Sequence, residues 1–307
     1  MAIIPSMLKP ALHENRLKRA LVTPFRGIIK RISPVLYVKL QYRYLTHRKL
    51  NLKNPVRYTE KLQYLRLYEY PNNQEVSRLA SRLGAREYVK EQGFEDILIP
   101  LLGSYSSFDE IDFAKLPNSF VLKCNHASGF NAIIEDKSKM NIPLLRAKFT
   151  KWLQTDYGKM TIEPHYSPIP RKIVAEPLLQ EDGHLPTEYK IHVFNGKARN
   201  LYVVRGRGKD IHYDQLYIDW MPFDASQFNG WTKGKTPPEK PANFEEMVKK
   251  AEKLATPFPF VRVDLYSIDG HVYFSEMTFT PAKGTLVFDD DEADFIQGRW
   301  LTLPNAK

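Results

Sequence analysis

The tightest constraint in the 307-residue chain lies at residues 260–278. Phe260-Val261-Arg262-Val263-Asp264-Leu265-Tyr266 and Val272-Tyr273-Phe274-Ser275-Glu276-Met277-Thr278 both alternate with period two, and Asp269-Gly270 lies between them. Asp-Gly is a two-residue turn signal, so the pattern predicts a tight antiparallel hairpin. Such a hairpin sets Asp264 and Glu276 on adjacent strands, and Arg262, two residues from Asp264, shares its face. One or two carboxylates together with phosphate oxygens are what Mg²⁺ prefers, and the guanidinium beside them suits phosphoryl charge. The bland alternative is a pair of hairpin acids on a solvent face.

The rest of the chain builds around that hairpin as α+β. Helical periodicity, broken at Pro24 and Pro34, runs over residues 7–50 and continues over 57–93, and a short apolar strand follows at Ile97 to Leu102. Ser119 to Lys123, Ala132 to Glu135 and Lys172 to Ala175 read as strands, with a helix near Leu144 to Leu153. The final half is strand-rich: Tyr189 to Phe194, Ala198 to Val204, Gln215 to Ile218 and the 260–278 pair, with Phe244 to Leu254 its clear helix. Asn195-Gly196 predicts a second hairpin.

Composition narrows the function classes. A single cysteine, Cys124, excludes an intramolecular disulfide and a Cys-clustered zinc site. No apolar run approaches the roughly 18 residues needed to span a bilayer. Met1 to Ser6 lacks the basic start of an export signal, which predicts a cytoplasmic protein. Of 45 Lys/Arg and 35 Asp/Glu, residues 1–58 hold thirteen basic side chains against Glu14 alone, which leaves the remainder close to neutral. Arg16, Arg19, Arg26 and Lys30 interleave with Leu17, Leu21, Phe25, Ile28 and Ile29. This basic amphipathic segment fits a membrane surface, at the inner face of the membrane, or a polyanionic partner; a solvated helical cap is the alternative. No base-reading motif accompanies the charge, so no specific nucleic acid is expected. Gly230 to Thr236 imitates a P-loop but is one residue short between its glycines and reads as a surface loop.

Three further segments carry chemistry. Lys123 ends a strand and is followed by His126-Ala127-Ser128-Gly129, a small-residue loop able to cradle phosphates. Val174-Ala175-Glu176-Pro177-Leu178-Leu179 is a strand running into an extended segment, which suits an adenine edge. Glu188-Tyr189-Lys190 opens the second hairpin, where Glu188 would accept ribose hydroxyls and Lys190 meet a phosphate, or both would be surface charges. His126 touches a phosphate or substrate, or is a plain loop histidine. Trp220 and Trp231 line an acceptor cleft or pack the second lobe.

Taken in order, these features resemble the ATP-grasp superfamily, and more narrowly its teichuronopeptide-biosynthesis-like (TupA-like) family of bacterial polysaccharide gene clusters. The likeness is carried by Asn54-Pro55 with Glu60-Lys61-Leu62-Gln63, Arg86-Glu87-Tyr88-Val89, Leu116-Pro117 to Lys123, Tyr189-Lys190 with Phe194-Asn195-Gly196, and Arg262 to Tyr266 with Glu276-Met277-Thr278-Phe279-Thr280-Pro281. It covers about residues 54–302. The resemblance implies two α+β lobes gripping a nucleotide, preceded by a basic helical segment over 1–55. The ATP-grasp-like domain is expected over 56–302, divided into a helical first lobe (56–118), a small nucleotide-covering lobe (119–178) and a strand-rich metal and substrate lobe (179–302). It implies ATP and Mg²⁺ as cofactors, with Arg86 and Lys123 on the phosphates, Ser128 and Gly129 over them, Glu176 and Leu178 flanking adenine, and Glu188 on the ribose. Asp264 and Glu276 would hold Mg²⁺, Thr278 standing where most of the superfamily has Asn. Arg262 would hold the γ-phosphoryl and the acyl phosphate, with Lys190 as a further catalytic cation. Ser81-Arg82 replaces an expected Asp-Lys, and Glu188 replaces a commoner Asp.

The activity so implied is an ADP-forming carboxylate–amine ligase acting through an acyl phosphate. In a surface-polysaccharide or capsule setting it joins a uronic acid or amino acid carboxylate to an amine. Its partners would then be an anionic glycan or amino acid substrate, with Arg205, Arg207 and Lys209 as candidates to grip an anionic acceptor, or else a solvated basic loop. Two other readings compete: a metal-dependent glycosyltransferase, for which Asp289-Asp290-Asp291 supplies an Asp-x-Asp pattern, and a non-catalytic ATP- or polysaccharide-binding module. The acidic run lacks a leading apolar strand and reads more simply as a solvated segment.

Overall fold

The computed structural model describes residues 27–208, 210–223, 232–288 and 290–304. The basic positions Arg16, Arg19 and Arg26, and also Lys209, Trp231 and Asp289, lie outside them. Two antiparallel sheets organise the chain. The smaller has the order β1-β4-β2-β3, with β1 Gly103–Tyr105, β2 Phe120–Cys124, β3 Asn131–Ile134 and β4 Ile173–Pro177. The larger has the order β7-β6-β5-β8-β9, with β5 Glu188–Phe194, β6 Lys197–Arg205, β7 His212–Tyr217, β8 Phe260–Ile268 and β9 His271–Thr278. This is the α+β arrangement expected.

Each sheet buries one face against a helix. Phe120, Leu122 and Cys124 alternate toward helix α5 (Ile142–Gln154), whose Leu145 and Phe149 complete that core. Ile191, Val193, Val263 and Leu265 of the larger sheet meet Met247, Ala251 and Leu254 of helix α7 (Phe244–Ala255). Fully burying each Val, Leu, Ile, Phe or Met side chain among them stabilises the fold by about 1.5–3 kcal/mol. On the opposite faces, charged residues mixed with Val121 and Ile133 meet across a cleft, while Phe194 and Phe260 of the larger sheet pack on Tyr58 of the helix at Tyr58–Tyr64. Asn195-Gly196 and Asp269-Gly270 both take the paired left-handed conformation of two-residue hairpin turns, with φ of 46° and 78° and of 51° and 74°.

The helices before the small sheet are α1 (Pro34–Thr46), α2 (Tyr58–Tyr64, continued by a π turn at Leu65–Glu69), α3 (Gln74–Ala80) and α4 (Arg82–Glu91). Pro34 opens α1 rather than merely interrupting it, because Ser33 caps it by accepting from the Leu36 amide (3.2 Å). The apolar run expected as a strand at Ile97 to Leu102 is not one. It holds a 3₁₀ turn at Glu95–Ile97 and one parallel bridge from Leu98 to Phe274, and strand β1 starts only at Gly103. Pro100 has no N–H to give a ladder, which accounts for the delay.

A last helix, α8 (Asp291–Trp300), occupies the acidic run expected to be solvated. Asp290 caps it, Asp291 pairs with Arg57 (3.0 Å) and Arg48 (3.1 Å), and buried Asp294 accepts from the Thr59 amide (2.9 Å) and hydroxyl (2.7 Å). These acids fasten helix α8 to α2: of the Asp-x-Asp pair, Asp291 is engaged by Arg57 and Arg48, and Asp289 lies outside the described residues. Trp220 packs edge-on against Phe244 behind the larger sheet and does not line the cleft.

Candidate active site between the two sheets

These facing surfaces enclose a cleft of about 270 Å³. From the small sheet come Val121 and Lys123 of β2, Asn131 and Ile133 of β3, and Glu176 of β4. Register explains why these five share one face: Val121 lies opposite both Ile133 and Glu176, and Lys123 opposite Asn131. From the larger sheet come Glu188 and Lys190 of β5, Arg262 of β8, and Glu276 and Thr278 of β9. Lys190 is opposite Asp264, Asp264 opposite Glu276, and Arg262 opposite Thr278. A bulge after Asp264 makes room for an extra residue on β9, so that Ser275 and Glu276 both reach the cleft.

The charges are interlocked. Lys123 Nζ donates to Glu176 (2.5 Å), with Arg86 3.6 Å from the other oxygen of the same carboxylate. Burial alone would raise the Glu176 carboxyl, but Lys123, then Arg82 and Arg86, hold it below its usual value. Glu188 accepts from Arg207 (2.5 Å) and lies 2.9 Å from Lys190, and those cations outweigh burial and keep it well below the ordinary range. Arg262 grips Asp264 through two bonds (2.6 and 2.7 Å) and reaches Glu276 (3.2 Å) and the Thr278 hydroxyl (3.0 Å). Lys190 also donates to Asp264. Glu276 is kept ionised against its burial by Arg82, Lys190 and Arg262.

The predicted residues therefore divide into three groups. Lys123, Ser128, Gly129, Glu176, Leu178, Glu188, Lys190, Arg262, Glu276 and Thr278 line one cleft. Arg86 and Asp264 stand directly behind that wall: Arg86 braces Glu176, and Asp264, fully buried, has both oxygens engaged by Arg262 and Lys190. Arg205 and His126 are elsewhere. Arg205 is held by Asp214 (2.7 Å) and the Thr236 carbonyl (2.6 Å), off the cleft. The His126 ring is buried, with Nε2 3.2 Å from the Trp152 carbonyl and its edge toward Phe130, and burial lowers its pKa. It anchors the loop from beneath while Ser128 and Gly129 (φ 77°) face the cleft. Cys124 points into the core, where burial pushes its thiol up to about 12, so it offers no nucleophile.

Sequence reasoning did not mark Tyr157, Tyr166, Glu163 and Lys283 as lining residues, nor Arg82 as a cleft cation. Arg82 had one signal, its place where Lys was expected; Tyr157 opens the short helix α6 (Tyr157–Thr161), and Glu163, Tyr166 and Lys283 lie on or beside single turns, too short to carry a period.

The donor set has the chemistry for Mg²⁺ with a nucleotide. Glu276 and Thr278 present hard oxygen atoms to the cleft, and Mg²⁺ needs only one or two carboxylates when phosphates supply the rest. Asp264 would join them only if Lys190 or Arg262 released an oxygen. Among the described residues no three His, Cys, Asp or Glu side chains gather as a self-sufficient metal cage, and no helix is long and apolar enough to cross a membrane.

Comparisons with known proteins bear on this arrangement. No curated protein sequence matches the chain. Solved structures similar to it include D-alanine–D-alanine ligase from Bacillus anthracis complexed with ATP, at 16% identity over 66% of this chain and 55% of that one, TM-score 0.42. Others are the L-amino acid ligase of Bacillus licheniformis, at 13% identity over 74% and 49%, TM-score 0.44, and a biotin carboxylase complex from Campylobacter jejuni, at 11% over 81% and 54%, TM-score 0.42. The chain spans about half the length of each. The TupA-like ATP-grasp model matches residues 60–302, which takes in both sheets, the cleft and helix α8. The chain belongs to the TupA-like ATP-grasp family.

Proposed function

We propose that the chain is an ATP-dependent carboxylate–amine ligase working through an acyl phosphate. The observation that carries this reading is a cleft between two sheets that joins an apolar base-sized wall to a row of cations interleaved with carboxylates. Ile99, Val121, Ile133 and Leu178 suit the faces of a purine. Lys123 and the Ser128-Gly129 loop suit its phosphates, and Glu188 the ribose hydroxyls. At the far end stand Arg262, Lys190, Glu276 and Thr278.

In the reaction, an oxygen of the substrate carboxylate attacks the γ-phosphorus and the bond to ADP breaks, leaving an acyl phosphate. The amine then attacks the acyl carbon, phosphate leaves, and one proton departs from nitrogen. The residues act by positioning and charge: Arg262 and Lys190, pinned by Asp264, offer fixed positive charge where the phosphoryl oxygens gain negative charge. Mg²⁺, held by Glu276 and Thr278 with the phosphates, would neutralise charge on the transferred group. No side-chain nucleophile is needed. The acid is in our reading a uronic acid or amino acid, and the setting bacterial surface polysaccharide synthesis.

Thermal shift tests the nucleotide half. Mg·ATP at 100 times its Kd should stabilise the fold by about 2.7 kcal/mol. Glu276→Ala should remove most of the Mg²⁺-dependent part. A shift with a sugar nucleotide and none with ATP would point instead to glycosyl transfer.

A further inference from the structure

Six cationic side chains line the cleft: Arg82, Lys123, Lys190, Arg207, Arg262 and Lys283. Five are ion-paired with carboxylates of its own walls. Lys283 has no ion-pair partner among the described residues. It sits on the turn Pro281–Gly284 that follows β9, where Ala282, Lys283 and Gly284 are all left-handed, with φ of 48°, 60° and 64°. Two of these are not glycine, and L side chains rarely adopt that conformation unless the surroundings hold it. The turn is held there from behind. Gln63 Nε2 donates to the carbonyls of Lys283 (2.8 Å) and Gly284 (2.7 Å), and fully buried Arg66 donates to the Lys283 carbonyl (2.8 Å).

The surroundings carry surplus positive charge. Glu163 is the acid of this recess, and it already accepts from the Thr280 hydroxyl. Around it stand Lys283, Arg66 and Lys30, the last donating to the Met160 carbonyl. Burial lowers the Lys283 ammonium, Glu163 opposes that, and Arg66 adds to it. A cation held this way without a counter-ion lacks compensation, which an incoming anion would supply.

We infer that Lys283 binds a carboxylate of the acid substrate and so selects acids over their uncharged counterparts. The inference rests on the ligase reading and names the residue that fixes its substrate class. Lys283 follows Thr278 and Thr280 in the chain and lines the same cleft as Arg262 and Glu276, the residues our reading gives to the transferred phosphoryl group.

The test uses thermal shift of the full chain with saturating Mg²⁺ and a non-hydrolysable ATP analogue. Added probes are D-glucuronate, D-galacturonate and N-acetylglycine, each against its neutral counterpart D-glucose, D-galactose and N-acetylglycinamide. At least one acid should raise Tm further, and its neutral counterpart should not. Lys283→Met should weaken that acid roughly 10- to 100-fold, the range for a lost hydrogen bond to a charged group. The nucleotide shift should remain, and Lys283→Arg should restore part of the acid response, which a purely structural role would not give. The inference is overturned if no acid shifts Tm while the nucleotide does, or if Lys283→Met binds the acid as tightly as the parent. Absence of the nucleotide shift itself would remove the ligase reading and this inference with it.

Helix α1 carries a second unassigned surface. Its inner side, Val38, Tyr42 and Thr46, is buried with Leu50, Leu52 and Ile162. Its outer side carries an apolar residue at every fourth position, Leu36 and Leu40 both 47% exposed and Tyr44 53%, and Ile32, 78% exposed, lies just before the Ser33 cap. Arg31, Lys39 and Arg43 are exposed beside them, and the sequence has no acid between Glu14 and Glu60. An apolar stripe flanked by one sign of charge matches an anionic lipid interface. We propose that this face docks on such a membrane. The full chain should co-sediment with phosphatidylglycerol-containing vesicles and not with phosphatidylcholine alone. Leu36→Ser with Leu40→Ser should abolish binding, and Lys39→Gln with Arg43→Gln should lower it about 30-fold, at about 1 kcal/mol per charge. Unchanged binding of the serine variant would leave only a polyanion contact, and its becoming monomeric from a dimer without any vesicle binding would assign the stripe to self-association. Either outcome overturns the proposal.

Discussion

Lys123 and Glu176 show how one pair can belong to both the fold and the site. The lysine is on β2 and the acid on β4, adjacent strands of the small sheet, and both side chains are largely withdrawn from water. Removing one partner leaves the other charge buried, whereas removing both lets the site pack as an apolar one. Lys123→Met should therefore lower stability by about 2 kcal/mol, tempered by Arg86 at 3.6 Å from Glu176. Adding Glu176→Leu should recover most of that in a denaturant titration. Nucleotide affinity should stay lost in the double variant, because the ammonium is absent in both. Recovery of ATP binding along with stability would show that Lys123 merely offsets Glu176. At this scale much of the site was legible: period-two alternation alone puts Arg262, Asp264, Glu276 and Thr278 on one face. What alternation does not reveal is occupancy. Asp264 has the sequence context of a metal ligand, yet its two oxygens are taken by Arg262 and Lys190.

Among elements, those whose signals are local were legible and those that depend on a distant partner were not. The Asn195-Gly196 and Asp269-Gly270 hairpins and the amphipathic helix α7 follow from short-range pattern. Helix α8 does not. Its first turn holds Asp291, Glu292 and Asp294, which reads as solvated charge until α2 is placed beside it. Arg57 and Thr59 then take up two of those acids, Lys61 donates to the carbonyls of Gly298 (2.8 Å) and Leu301 (2.6 Å), and a Cβ at Gly298 would stand 2.2 Å from the Val56 carbonyl oxygen. The contact needs residues more than two hundred positions apart, beyond any periodicity. The turn that presents Lys283 is similar: its left-handed residues are dictated by Gln63 and Arg66, not by Pro281-Ala282-Lys283 itself.

Over the whole molecule, buried titratable groups pull stability in opposite directions with pH. His126, His165 and His192 are all held neutral by burial, His165 down to about 3, with Arg66 adding to the effect on His165 and Arg262 to that on His192. Below about pH 6.5 the unfolded chain protonates these rings and the native chain does not, so stability present above that pH is lost as pH falls. Asp294 runs the other way. Burial raises it from 3.8 to about 6 despite the Thr59 hydrogen bonds, so its contribution is complete below 3.8 and is lost as pH rises through 6. Between pH 7 and pH 5 His165 alone should cost about 2 kcal/mol, and Asp294 should return about 1 kcal/mol. With three histidines against two aspartates, Asp294 and Asp264, whose carboxyl burial also raises, stability should fall on acidification. His165→Phe tests the balance, because neither ring nitrogen of His165 has a hydrogen-bond partner among the described residues and its neighbours Tyr70 and Tyr166 are aromatic. Urea midpoints measured at pH 7 and pH 5 should converge in His165→Phe by about 2 kcal/mol and diverge by about 1 kcal/mol in Asp294→Asn. An unchanged slope in His165→Phe would mean that the ring is protonated in the native state, next to Arg66, and that the cationic recess around Lys283 tolerates one more charge than its geometry implies.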